Sequence, residues 1–101
     1  MKKRKGKARF ERFDASDYLD DTDVLVEYLS AALEDPNPDV FLRAVENVAK
    51  ARGIGEVART TGLGRESLYK SLAPGAKPRY DTIVKVVNSL GVRLAVVPTP
   101  G

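Results

Sequence analysis

The stretch GEVARTTGLGRESLYKSL, residues 55–72, constrains this chain more than any other. It holds two short helical patterns joined by Gly62, Leu63 and Gly64. Ala58 stands four residues before Gly62, and Leu63, Leu68 and Leu72 supply apolar positions after it. That spacing is the signature of a helix-turn-helix, in which two helices cross closely and a small residue is wanted at the crossing. Gly62 suits the left-handed backbone that such a turn requires. Leu63 and Leu68 anchor the second helix inward, which leaves Arg65, Glu66, Ser67, Tyr69 and Lys70 free to meet a partner. In such a unit the second helix enters the DNA major groove. An ordinary helical hairpin is the bland alternative.

The charge distribution agrees with the first reading. Of 101 residues, 17 are basic and 14 acidic, a net of +3, but the charges are partitioned. Residues 1–9 carry six basic groups and no acid. Residues 10–49 carry eleven acids against Arg12 and Arg43, a net of −9. Residues 50–101 carry nine basic groups against Glu56, Glu66 and Asp81, a net of +6. The basic part contains the two-helix motif, as a DNA-binding surface requires. The acidic part suits a different, basic partner, or is simply a solvated face.

The chain has no Cys and no His. Disulfide and thiolate chemistry are excluded, and the commonest general base and metal ligand are missing. No nucleophile–base pair, phosphate loop or metal set is visible, so an enzyme is not expected and no cofactor is called for. Asp17, Asp20, Asp21 and Asp23 invite a calcium-loop reading. A loop begun at Asp21 would need Gly at its sixth position and Glu at its twelfth, where Val26 and Ala32 stand. No apolar run approaches the ~20 residues of a membrane span. The basic start is not followed by an apolar stretch, so a secretory signal is not expected and a cytoplasmic location is.

The elements follow from periodicity and punctuation. Residues 1–12 lack apolar periodicity and are expected to form a disordered basic arm. Residues 13–98 read as a single domain, of which 13–36 are an acidic extension and first helix. That helix is expected over residues 23–34, capped by Thr22, with Val24, Leu25, Tyr28, Leu29, Ala32 and Leu33 as its apolar stripe. Asn37 can cap a second helix that starts with Pro38, carries Phe41, Leu42, Val45, Val48 and Ala49, and ends at Gly53. After the two-helix motif and a Pro/Gly loop, a fifth helix is expected over residues 81–90, with Ile83, Val84, Val86, Val87 and Leu90 inward.

Residues 92–97 are too short and too β-branched for another helix and read as a strand. A lone strand leaves its backbone groups unsatisfied, and no second strand is evident. The simplest solution pairs the same strand from two subunits across a two-fold axis. Val92, Leu94 and Val96 would then cover the core at the dimer interface, with Arg93 and Val97 outward. A tail packed on the fifth helix is the alternative. A dimer would also place two second helices about one duplex turn apart. The expected fold is therefore mainly α: five helices and a short C-terminal β-strand pairing across a homodimer.

Arg65 stands where side chains reach base edges, and its planar fork suits guanine. Glu66 can accept from cytosine or complement a positive helix N-terminus. Ser67 and Lys70 share the exposed face, and Lys70 suits phosphate. Tyr69 can stack on sugar or a thymine methyl, or pack half-buried. Arg59, Thr60, Lys77 and Arg79 flank the motif as candidate phosphate clamps, which position a duplex without specifying its sequence.

The run FLRAVENVAKARGIGEVARTTGLGRESLYKSLAPGAKPRYDTIVKVVNSLGVRL resembles the antidote subunits of HigA-type toxin–antitoxin modules, whose helix-turn-helix is of the lambda-repressor-like (Xre) class. The lead-in FDASDYLDDTDVLVEYLSAALED is similar to the same family, so the likeness spans about residues 13–98. The resemblance implies an antitoxin that neutralises a small basic toxin of the RelE/HigB fold. It also implies binding to double-stranded operator DNA of its own operon through the helix-turn-helix, with repression modulated by toxin occupancy. Were the toxin to bind the acidic half, Tyr18, Leu19 and Tyr28 would be its anchors, with Asp20 and Asp21 at the rim; Tyr28 could equally fill the domain core. Relatives commonly have Ser where this chain has Gly64, a loss in capping of a few tenths of a kcal/mol. Two other readings stay open: a stand-alone Xre-like regulator, and an interaction inhibitor that binds no DNA.

Overall fold

The computed structural model describes residues 21–100. Among them are five helices: α1 (Thr22–Leu33), α2 (Pro38–Arg52), α3 (Ile54–Thr61), α4 (Arg65–Leu72) and α5 (Tyr80–Ser89). The disordered arm expected over residues 1–12 lies outside the described residues.

Helix starts follow local chemistry. At α1 the cap is Asp21, whose Oδ1 accepts the Val24 N–H at 3.1 Å. Thr22, the expected cap, is already the first helical residue. A carboxylate at this position accepts the orphan amide and also meets the positive end of the helix dipole, which a hydroxyl does not. At α2 the expectation holds: Asn37 Oδ1 accepts the Asp39 N–H at 2.9 Å, with Pro38 following. Gly53, at φ +113°, separates α2 from α3 without breaking the run of helix.

The core draws on every helix. Leu25, Leu29 and Ala32 come from α1, and Phe41, Leu42, Ala44, Val45, Val48 and Ala49 from α2. Val57 comes from α3, Leu68 and Leu72 from α4, Val86 and Val87 from α5, and Leu90 follows α5. Helix α2 is the hub, packing against α1, α3 and α4, while α5 closes on α3. Helix α1 packs chiefly on α2 alone, so its covered arc is narrow. Leu33, expected in the buried stripe, is consequently 49% exposed.

The expected strand is not formed among the described residues: residues 92–97 carry no strand pairing. Val92 and Leu94 do pack against the core, with Arg93 and Ala95 exposed between them. The alternation stops there. Val96, expected to cover the core, is fully exposed, because the chain has run past the end of the helical layer that shields Val92 and Leu94. The tail thus follows one alternative of the sequence reading within a single chain, packing part of itself on the helices.

Candidate nucleic-acid interface

Helices α3 and α4 contain eight residues each and are joined by residues 62–64. Gly62 adopts the left-handed conformation at φ +78°, and its N–H donates to the Ala58 carbonyl. The turn has a second tie. Thr61 Oγ1 donates to the Val57 carbonyl at 2.7 Å and accepts the Leu63 N–H at 3.3 Å. Ala58 and Leu63 are partly buried against the core, as their types and spacing required.

The orientation of α4 is set by Leu68 and Leu72, which are completely buried or nearly so. With these two fixed inward, helical geometry turns the remaining positions out. Arg65, Glu66, Ser67, Tyr69 and Lys70 are all exposed, so the five side chains expected to face a partner do share the outer surface of α4. Gly64 precedes the helix in extended conformation and provides no side-chain cap, which leaves the first amides of α4 without that satisfaction.

Two of these side chains are held by neighbours that the sequence pattern does not reveal. The Arg65 guanidinium lies over Gly55 in the first turn of α3; a Cβ at position 55 would fall 2.7 Å from Arg65 Nη2. The ammonium of Lys50, near the end of α2, stands over the Tyr69 ring at 5.8 Å from its centroid, within cation–π range. Tyr69 thus combines the two readings offered for it, exposed on one side and packed on the other. A signal for Gly55 was present: glycine early in a short helix is a costly choice that calls for a steric reason. For Lys50 there was none.

The flanking clamp candidates differ from one another. Thr60 and Lys77 are exposed. Arg59 pairs with Glu56 at 3.2 Å on the same helix. Arg79 donates from Nε and Nη2 to the two carboxylate oxygens of Asp81, at 3.1 and 3.2 Å. That pairing raises the Arg79 pKa and lowers that of Asp81, first through the hydrogen bond and also through charge. Both arginines therefore offer a charge already partly compensated.

In the acidic half, Tyr18, Leu19 and Asp20 lie outside the described residues. Asp21 is the cap of α1. Tyr28 is half-buried against the core, and its hydroxyl accepts from Asn47 Nδ2 at 3.2 Å. Burial pushes its phenol pKa up, with Asn47 and Arg43 pulling the other way. A recess of about 590 Å³ follows the outer side of α2, bordered by Tyr28, Val40, Arg43 and Leu72. Among the described residues no cluster of three or more Asp or Glu side chains is placed to hold a metal ion, and no helix is long and apolar enough to cross a membrane.

Comparison with known proteins points to one family. A family model described as a probable addiction module antidote protein matches residues 9–98. An uncharacterized protein of Haemophilus influenzae is 32% identical over 84 residues, covering 83% of this chain and 87% of the relative. No solved structure matches the chain.

Proposed function

The chain belongs to the family of probable addiction module antidote proteins, and from that premise we propose that it is the antitoxin of a type II toxin–antitoxin module, neutralising a small basic RelE/HigB-like toxin and repressing its own operon as a homodimer. In this reading α3 and α4 are a HigA-type, Xre-class helix-turn-helix, and α4 is the helix that enters the major groove. The protein acts by binding and not by catalysis, in the cytoplasm where operon and toxin are found.

The observation that carries the DNA-binding part is the outward face of α4. Leu68 and Leu72 are sunk in the core, while Arg65, Glu66, Ser67, Tyr69 and Lys70 stand together at the surface. The surrounding residues 50–101 are net +6, the sign a phosphate backbone attracts. The antidote part rests on the family match, which runs through the acidic half as well as the basic one.

Two measurements test the proposal. Fluorescence anisotropy with the protein's own promoter should show tight, salt-weakened binding that a scrambled duplex does not reproduce. Co-expression with the small protein encoded beside its gene should restore growth that this protein alone suppresses. Equal weak binding to both duplexes would remove operator recognition and leave a toxin inhibitor; a neighbour that is harmless alone would remove the antidote role.

A further inference from the structure

Helix α1 carries more apolar surface than its neighbour covers. Leu25, Leu29 and Ala32 are buried against α2, yet Val26 is 44% exposed and Leu33 49%. The two are seven residues apart and so lie on one line along the helix, beside the buried stripe. Next to that line runs a second one. Asp23, Glu27 and Glu34 are spaced four and seven residues apart, all exposed, with Ser30 between the last two. From Thr22 to Leu33 the helix contains no Lys or Arg. Among the described residues none of these three carboxylates is in an ion pair; the pairs present are Lys50–Glu46, Arg59–Glu56 and Arg79–Asp81.

An aliphatic ledge bordered by a row of unneutralised carboxylates is a poor solvent face and a specific kind of interface. The charge decides what can cover it. DNA and anionic lipid are repelled. A second copy would set the same carboxylate row against its own on a two-fold axis, and like charges facing each other are destabilising. The chain's own basic arm could neutralise the row, but residues 1–9 hold only Met1 and Ala8 as apolar side chains, so the ledge would stay wet. The occupant that satisfies both lines presents aliphatic side chains flanked by Lys or Arg.

We infer that the outer face of α1, with Val26 and Leu33 as anchors and Asp23, Glu27 and Glu34 as the charged rim, is the docking surface for a cationic segment of the toxin. The inference rests on the antidote reading and adds to it the place of contact and the chemistry of the partner's surface. It moves the anchors from Tyr28, which the core and Asn47 occupy, to the side of α1 that nothing in the described chain covers. Buried apolar anchors ringed by charge are the usual anatomy of such contacts.

The test uses the full-length protein and the small protein encoded beside its gene, purified as a complex. Hydrogen exchange should slow across residues 22–34 in the complex relative to the free protein. The pair Val26→Gln and Leu33→Gln should weaken the complex at least tenfold while promoter binding is unchanged. Neutralising the rim with Asp23→Asn, Glu27→Gln and Glu34→Gln keeps the apolar face intact and should weaken the complex while flattening its salt dependence. Slowed exchange confined to α3–α5, or wild-type affinity in both variants, overturns the inference while the antidote reading stands. Loss in the rim variant alone assigns the face to a purely ionic occupant such as the basic arm and also overturns it. A glutamine pair that alters only the oligomeric state gives the face to a second copy, with the same consequence. A neighbour that does not bind the wild-type protein removes the antidote reading and this inference together.

Discussion

The guanidinium of Arg65 rests on Gly55: a side chain as small as a methyl at position 55 would lie 2.7 Å from Nη2. The first residue of α4 is thereby positioned by the first turn of α3, and the absent side chain is what permits it. The conflicting atom is the far end of a flexible side chain, so a substitution there displaces Arg65 and leaves the backbone in place.

Gly55→Ala should separate stability from recognition. Alanine is favoured over glycine in a helix by up to about 1 kcal/mol, so Tm should hold or rise. Promoter affinity should fall as Arg65 is pushed from its resting place. Calorimetry and anisotropy on the same variant check both halves, and an unchanged affinity would show that the resting place of Arg65 has no bearing on recognition.

Arg65→Ala should cost about 1–3 kcal/mol of promoter binding and relax preference at one base pair. Lys70→Ala should weaken binding to all duplexes and lower the salt slope by roughly one. Neither should alter toxin neutralisation in a growth assay. A double variant that still represses would rule α4 out as the reading element.

Leu68 is fully buried in the centre of α4. Leu68→Ala should cost about 2–5 kcal/mol, a large share of the stability of a domain this size. Urea unfolding should show the midpoint moving far to lower concentration.

Tyr28 has a phenol pKa raised by burial. The folded state therefore favours the neutral form. That contribution is complete below the unfolded phenol value, near pH ~10, and is lost as the pH rises through the higher folded value. Tyr28→Phe should lower stability slightly at neutral pH, through loss of the Asn47 hydrogen bond, and should flatten the alkaline decline. Unfolding midpoints between neutral and strongly alkaline pH would reveal the difference between the two slopes.

Val96 is fully exposed in the single chain. If the tail pairs across a homodimer, Val96→Lys should shift the protein toward monomer in sedimentation equilibrium without changing its helical content. A variant that sediments like wild type would place the dimer contact elsewhere.

Much of the fold was legible because local chemistry set it. Asn37 with Pro38 opened α2 where expected, Gly62 took the left-handed turn, and Leu68 with Leu72 oriented α4. Ends shifted by a residue where two capping types compete, as Asp21 did over Thr22. Two apolar expectations failed for a common reason. Leu33 and Val96 have the right spacing to be buried, but periodicity does not say how wide an arc the neighbouring elements cover. The contacts that shape the candidate interface were not legible. Gly55 with Arg65, Lys50 with Tyr69, and the Asp39 carboxylate accepting the Gly75 N–H at 3.0 Å all join residues far apart in the chain.

The division of charge has a consequence for how encounters begin. Residues 10–49 are net −9 and residues 50–101 net +6, and α2 crosses from one part to the other, running from Asp39 to Lys50 and Arg52. Such a molecule behaves as an electric dipole. Near a duplex it is turned before contact so that α4 leads and α1 trails. Near a cationic protein the torque reverses. The same field therefore sorts two opposite partners to two ends of one small domain, and a bound duplex leaves the acidic end pointing away from it, open to the second partner.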